Sequence, residues 1–310
     1  MVKGVRRTGI FVLKLALSIV LVYLIIARTG LSGIADSLRT VGPSLGAALA
    51  LALLFTFLKV LKWHRLVAAA AGGGSSLSDA AKSYLVGMAG GLLTPGRVGE
   101  IARAVFLERH ERGLIAYLVV VDRVFEVAAV VLLAVPGIVF YANPLAGAAA
   151  AILLGLLWIL LVWPDFPLRW LQRLLPRSSG FAALREKAAR MTLQLRSVSA
   201  GVKRRQTGLA LLGYGVVILQ FHALLDNYHP SRLGTAVLAQ PLIMLTNILP
   251  FTIGGLGIRE GAAIALLSPF GVPRAPAVSS ALMLFFMNTA LPALAGSVLL
   301  LLFRSRRHGR

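Results

Sequence analysis

Thr94-Pro95-Gly96-Arg97-Val98-Gly99-Glu100, running on into Ile101-Ala102-Arg103, has a partner later in the chain. That partner is Pro250-Phe251-Thr252-Ile253-Gly254-Gly255-Leu256-Gly257-Ile258-Arg259-Glu260. Each stretch has a proline, then glycines, then a glutamate opening an apolar, helix-like run. One copy falls in each half of the chain, and both lie in strongly hydrophobic surroundings. Pro and Gly break a helix there, and a membrane protein keeps a broken helix only where protein or a wet cavity covers the exposed backbone.

Composition supports a membrane setting. Hydrophobic residues make up 58% of the chain, charged residues 14%, and mean hydropathy is +0.83. Those values exclude a soluble globular domain of this size. Several apolar runs reach the ~20 residues that cross a bilayer. The chain therefore reads as an all-α polytopic membrane protein, a single integral membrane domain over residues 1–310. The net charge of +21 lies in bands between apolar runs. Topology signals and lipid-headgroup contacts are distributed in that way, so no nucleic-acid partner is expected.

The absence of cysteine excludes disulfides, a thiol nucleophile and Cys-based metal sites. His64, His110, His222, His229 and His308 are scattered without metal spacing, and His222 with Asp226 offers too few ligands. Neither glycine element is a nucleotide loop, because no Gly-x4-Gly-Lys-Ser/Thr is present. No cofactor and no metal is expected.

About six spans can be placed, together with two re-entrant helix pairs. Span one covers about 10–27, and we read it as a retained anchor: Ile25-Ile26-Ala27-Arg28 lacks a small-x-small cleavage site. Span two covers about 44–62, with Lys59, Lys62, Trp63 and Arg65 marking an interface. A Gly/Ala-rich segment over 79–93 and a second short helix over about 98–110 flank the first break as one re-entrant pair. Span three is about 114–139 and span four about 145–163. A basic segment follows over about 164–207. Within it, 181–202 reads either as an amphipathic interfacial helix or as a basic linker that fixes topology. Span five is about 208–225, segments 233–249 and 257–268 flank the second break, and span six is about 278–303.

With the N-terminus placed inside, loop charge is steeply asymmetric. The inside segments hold Lys3, Arg6, Arg7, Lys59, Lys62, Arg65, Lys82, Arg109, Arg112, the bases of 164–207 and the tail. The outside segments hold Arg28, Arg39, Arg232 and Arg274. This predicts a multi-pass protein of the cell (plasma or inner) membrane with both termini cytoplasmic. Each half then reads span, span, re-entrant pair, span. The repeats cover about 1–141 and 145–303. Three crossings per half turn the second half upside down relative to the first, which is the inverted-repeat plan of many secondary transporters.

Charges inside spans are costly, roughly 2.5–3.5 kcal/mol for a central Asp or Arg. Asp122, Arg123 and Glu126 must therefore face the protein interior and pair. They fit a buried structural salt bridge or the lining of a polar headgroup pathway. The re-entrant elements add Arg97, Glu100, Arg103, Arg259 and Glu260. If all of these converge at mid-depth, four Arg face four acids, and a phosphate could displace a carboxylate from an arginine fork. Helix N-termini following Gly99 and Gly257 are expected to present N–H groups to an anion. Pro95, Gly96, Gly99, Pro250, Gly254, Gly255 and Gly257 form the turns. Asn247 and Asn288 sit in apolar runs, where they fit helix–helix hydrogen bonds or cavity lining.

Three elements in order now carry a resemblance. They are Pro95-Gly96-Arg97-Val98-Gly99-Glu100-Ile101-Ala102-Arg103, then Asp122-Arg123-Val124-Phe125-Glu126, then Pro250 to Glu260. Together they resemble the lysylphosphatidylglycerol synthase transmembrane (flippase-like) family over nearly the whole chain. The best-known members of that family join the membrane module to a cytoplasmic aminoacyltransferase domain, and other relatives stand alone. The resemblance here covers only the module, so aminoacyl transfer is not expected. It implies a flippase or transporter for a polar-headed membrane lipid: an anionic or aminoacylated phospholipid, or a glycolipid or polyprenyl-type lipid. On that reading the expected headgroup-binding residues are the charges Arg97, Glu100, Arg103, Asp122, Arg123, Glu126, Arg259 and Glu260, with Asn247 as cavity lining. An intramembrane lipid-modifying enzyme, or a non-transporting partner of a lipid or glycan synthase, stands as the alternative.

Overall fold

A computed structural model describes residues 31–40, 42–70, 75–107, 112–162, 199–246, 252 and 255–308, together with Tyr23 and Ala27. The described residues are helical, with no strand among them. Expected span one, most of the basic segment 164–207, and Asn247, Pro250 and Gly254 lie outside the described residues. So do the side chains of Pro95 and Arg97.

The helices are α1 (Leu31–Arg39), α2 (Pro43–Ala70), α3 (Leu77–Leu93) and a 3₁₀ helix over Pro95–Phe106. They continue with α4 (Arg112–Tyr141), α5 (Pro144–Val162), α6 (Ala200–Tyr228), α7 (Leu233–Thr246) and α8 (Ile258–Leu267). Last come α9 (Arg274–Phe285), a π-helical turn over Phe286–Ala290, and α10 (Leu291–His308). Among the described residues, three helices are long and apolar enough to cross a membrane: Pro43–Ala70, Ala200–Tyr228 and Arg274–Phe303. These correspond to expected spans two, five and six. Pro144–Leu156 and Leu233–Thr246 are shorter apolar helices.

Three boundaries differ from expectation. Span five begins at Ala200, not at about 208, so the end of the basic segment is part of its helix. Span two does not end at Lys62 but runs on to Ala70, so Lys59 and Lys62 lie within the helix, buried, and do not mark an interface. The second short helix of the first pair is a 3₁₀ helix that begins at Pro95 and ends at Phe106. Its tighter winding follows from what it packs on. Gly87, Gly90 and Gly91 form a bare strip along α3. The 3₁₀ backbone lies so close on this strip that a Cβ at Gly90 would overlap the Gly99 carbonyl. Thr94 ties the turn: its hydroxyl donates to the Gly90 carbonyl at 2.8 Å and accepts the Gly99 N–H at 2.7 Å. At the start of α3, Ser76 accepts the Asp79 N–H at 3.1 Å while the Asp79 carboxylate accepts the Ser76 N–H at 3.3 Å, which satisfies two end groups reciprocally.

Packing is reciprocal. Helix α2 runs along α6. Helix α3 lies on α10, where Gly296 meets the Leu85 carbonyl, and α7 lies on α4, where Gly137 meets the Leu238 carbonyl. One apolar core joins α2, α6, α7, α8 and α9 through Phe55, Phe221, Leu224, Ile243 and Ala277. A second joins α2, α3, α4 and α10 through Trp63, Leu66, Tyr84, Ile115 and Phe125. Leu53, Leu145, Ile152, Leu212, Leu294 and Leu301 point outward. Charges lie inside and leucines outside, the reverse of a water-soluble surface.

The ends of the bundle are tied separately. At one end the Asn227 amide accepts the Gly42 N–H at 2.9 Å and donates to the Thr40 carbonyl at 3.0 Å. At that end too, Tyr141 donates to the Leu266 carbonyl, and Phe140 stacks on Phe270 with centroids 5.6 Å apart. At the other end Phe106 meets Phe303 at 4.7 Å, and Gln206 donates to the Lys62 carbonyl at 3.2 Å.

Candidate functional site

A 3₁₀ helix has three residues per turn, so Glu100 and Arg103 stand one above the other. Arg103 is fully buried. Its Nη2 donates to Glu100 at 3.1 Å and its Nη1 to Asp122 at 3.0 Å. The guanidinium lies against the rings of Trp63 at 4.6 Å and Tyr84 at 5.1 Å. Trp63 donates to the Ser83 hydroxyl at 3.1 Å, which donates to the Arg103 carbonyl at 2.7 Å. Both the side chain and the backbone of Arg103 are therefore anchored.

Arg123 bridges two elements. Its Nε and Nη2 donate to the two oxygens of Glu100, the first at 3.0 Å, and its Nη1 donates to Glu126 at 2.7 Å. The first of these contacts is the two-point fork that an arginine makes with a carboxylate or a phosphate. Glu126 also receives Lys59, Lys62 at 2.9 Å, and the Tyr214 hydroxyl at 3.2 Å. Lys62 lies 2.9 Å from Asp122 as well. The Lys59 ammonium faces the rings of Phe55 at 5.4 Å and Tyr214 at 5.1 Å. Among the described residues the cluster holds four cations, Lys59, Lys62, Arg103 and Arg123. Against them stand three carboxylates, Glu100, Asp122 and Glu126. The Arg123 side chain is 29% exposed, and no other side chain of the seven exceeds 8%.

The second break is built differently. Gly255 and Gly257 take positive φ values of 75° and 84°, which a side chain would strain. Glu260 accepts the Gly257 N–H at 2.7 Å and pairs with Arg259, whose guanidinium lies 4.4 Å from the Phe285 ring. Among the expected site residues whose side chains are described, the ion pairs thus fall into two groups, one around Glu100, Arg103, Asp122, Arg123 and Glu126 and one of Arg259 with Glu260; the Arg97 side chain lies outside the described residues. The two amides expected to greet an anion are both engaged, Gly99 by Thr94 and Gly257 by Glu260. No helix starts after Gly99, since that residue lies within the 3₁₀ segment.

Asn288 sits on the π-helical turn and donates to Gln220 at 2.7 Å, a helix-to-helix bond. Asn288 holds the place counted from Arg274 that Glu126 holds counted from Arg112. Where the first half pairs Lys62 on α2 with Glu126 on α4, the second half pairs two neutral amides, Gln220 on α6 with Asn288.

Glu100, Arg103, Asp122, Arg123 and Glu126 are brought together as the sequence suggested. Lys59, Lys62 and Tyr214 were missed. The spacing of Lys59 and Lys62 was the available signal, because lysines three apart share one helical face and can meet a carboxylate pair spaced four apart.

Residues 11–296 match the family model described as Lysylphosphatidylglycerol synthase TM region. No curated protein and no solved structure matches the chain.

Proposed function

The chain belongs to the lysylphosphatidylglycerol synthase TM region family, a family of membrane proteins related to lipid synthesis, and from that membership we propose that it is a lipid flippase. A polar-headed lipid passes its headgroup through the charged cluster while its acyl chains stay in the bilayer. The observation that carries this reading is the buried ion cluster, which among the described residues has seven members and one partly open side chain, Arg123. A headgroup phosphate displaces Glu100 or Glu126 from the Arg123 fork, and the released carboxylate keeps a partner in Arg103 or in Lys59 and Lys62. The exchange leaves no carboxylate unpaired, so it avoids the roughly 3–5 kcal/mol that breaking a buried pair outright costs.

An inverted repeat with two re-entrant pairs suits this role, and three observations support it. Helix α3 packs on α10 as α7 packs on α4. Gly137 and Gly296 make the same contact with a leucine carbonyl, at nearly the interval that separates Glu100 from Glu260. The first pair returns to the end held by Phe106 and Phe303, and the second to the end held by Tyr141 and Leu266. We place the outer face at the end carrying Arg39, Arg232 and Arg274, in a cell membrane with cytoplasmic termini.

The test is a leaflet-resolved assay in proteoliposomes, with Glu100→Gln, Arg123→Gln and Arg259→Ala beside the parent chain. Movement lost in the first two variants is expected. Movement equal to the parent in all three would rule out the site.

A second reading draws on the enclosure of Arg103 between Trp63 and Tyr84, which suits a rigid scaffold. The chain would then be a non-transporting partner of a lipid-synthesis enzyme. Loss of that enzyme's activity on deletion, with lipid movement intact, separates it from the first.

A further inference from the structure

We propose that α3, the 3₁₀ helix and α10 form one body that turns about the π-helical turn over Phe286–Ala290, and that the ion cluster is the seam along which this body parts from α2 and α4. The inference goes beyond the flippase reading and does not depend on which molecule passes.

The three elements are locked to one another through their backbones. Gly90 of α3 meets the Gly99 carbonyl of the 3₁₀ helix, and Gly296 of α10 meets the Leu85 carbonyl of α3. Phe303 of α10 closes on Phe106 of the 3₁₀ helix. Toward α2 and α4 the contacts run between side chains: Trp63 with Ser83, Arg103 with Asp122, Arg123 with Glu100, and the apolar groups of the second core. Packed side chains slide past one another, whereas a backbone seated on a glycine has no slack.

The joint lies between α9 and α10. Before the π-helical turn, α9 packs on α1, α6 and α8, and Ala277, Ala281 and Leu284 lie in the first core. After it, α10 packs on α3, and Ala293 lies in the second core. The Leu291 N–H reaches back to the Phe286 carbonyl, and Pro292 beside it has no N–H, so a rung of the helical ladder is missing. Helices bend at π turns and at prolines. Asn288 in the turn donates to Gln220, which pins the joint to α6.

The cluster divides along the same line. Glu100 and Arg103 lie on the turning body, while Lys59, Lys62, Asp122, Arg123 and Glu126 lie on α2 and α4. Parting breaks Arg103–Asp122 and Arg123–Glu100. Glu100 keeps Arg103, Asp122 keeps Lys62, and Glu126 keeps Lys59, Lys62 and Arg123. Every charge of the described cluster retains a partner on its own side, so the seam escapes the heavy cost of a stranded buried charge.

Distances between spin labels test this. The chain has no cysteine, so paired introduced thiols are labelled without background, and the full chain is measured in lipid nanodiscs by pulsed electron resonance. Leu77→Cys with Leu302→Cys lies within the turning body, and Val120→Cys with Arg204→Cys lies outside it. Leu302→Cys with Arg204→Cys spans the seam, and all four sites are exposed. A ~20° bend at the turn moves Leu302, about 17 Å along α10, by about 6 Å. One narrow distance is expected for each of the first two pairs, and two populations separated by that shift for the third. Asp122→Asn removes a seam contact and is expected to raise the longer population. Pro292→Leu supplies an N–H and is expected to lower it; if that variant does not fold, Asp122→Asn decides. One narrow distance across the seam, in the parent and in Asp122→Asn, overturns the proposal. So does equal broadening of the Leu77–Leu302 pair, which would mean that α10 moves without α3. Two populations across the seam with no lipid movement keep this inference and sink the flippase reading. Lipid movement with one narrow seam distance does the reverse.

Discussion

Gly90 and Gly99 meet backbone to backbone, each so close to the carbonyl of the other that neither has room for a Cβ. This contact seats the 3₁₀ helix on α3 and so sets where Glu100 and Arg103 stand. Gly90→Ala and Gly99→Ala each force two backbones apart. Each is expected to lower stability by about 1–3 kcal/mol, the usual cost of overpacking, or more because no flexible side chain can yield. Gly46→Ala and Gly215→Ala, with nothing within 4 Å of the added carbon, are expected to be neutral or mildly stabilising. Thermal unfolding in detergent compares the four.

Thr94 closes the same turn with one hydroxyl that both donates and accepts. Thr94→Val keeps the shape and leaves the Gly99 N–H and the Gly90 carbonyl without this partner, at a cost of about 1–3 kcal/mol. Thr94→Ser keeps the hydroxyl and is expected to stay near the parent. Equal midpoints for the two variants would show that the hydroxyl does not hold the turn.

Much of this was legible in the chain. Arg97, Glu100 and Arg103 recur every third residue, which is the period of a 3₁₀ helix and not of an α-helix. Pro95 opens the segment and Gly99 lets it sit close. The cluster around Asp122, Arg123 and Glu126 was legible from cost alone, since three charges in an apolar run demand partners. Its two lysines were not. Lys59 and Lys62 stand near Arg65 and Trp63, and a basic band beside an aromatic normally marks a membrane surface. Only the continuation of α2 to Ala70 places them inside. The split into two ion-pair groups was hidden because sequence counts charges but does not say which of them share a space.

Lys62 is expected to show that coupling. Its ammonium serves Asp122 and Glu126, and its side chain is 1% exposed. Lys62→Met removes an ammonium that Asp122 and Glu126 share; Asp122 keeps Arg103 and Glu126 keeps Lys59 and Arg123, so the loss is expected to stay below the roughly 3–5 kcal/mol of a buried pair broken outright. Asp122→Asn removes one of the two carboxylates that Lys62 serves, so the double variant should be more stable than the sum of the two single losses implies. Additive losses in a double-mutant cycle would mean that the two groups do not act as a pair.

The two arginines should separate by function. Arg103 uses both ends of its fork and both ring faces, so Arg103→Lys is expected to lose about 1.5–3 kcal/mol of stability as one charge-assisted bond and the stacking disappear. Arg123→Lys is expected to unfold at a temperature closer to the parent's, because its side chain is partly open, yet to move lipid more slowly. Reversed rankings, with Arg123→Lys the less stable and Arg103→Lys the slower, would exchange the structural and headgroup roles assigned to them.

Orientation can be tested because the chain has no cysteine, so single introduced thiols report without background. Thr40 and Gly234 lie toward the end where Asn227 bonds to Gly42, and both are exposed. Leu77 and Ser199 open α3 and α6 toward the opposite end, and both are exposed as well. If the two halves are inverted and the basic end faces the cytoplasm, Thr40→Cys and Gly234→Cys react with an impermeant maleimide on intact cells. Leu77→Cys and Ser199→Cys react only after the membrane is opened. The logic is strict for the re-entrant pairs. Gly234 begins the first arm of one pair and Leu77 the first arm of the other, so labelling of both from one side would place the pairs on the same face. The repeat would then be parallel, and Glu100 and Glu260 could not approach the membrane centre from opposite sides.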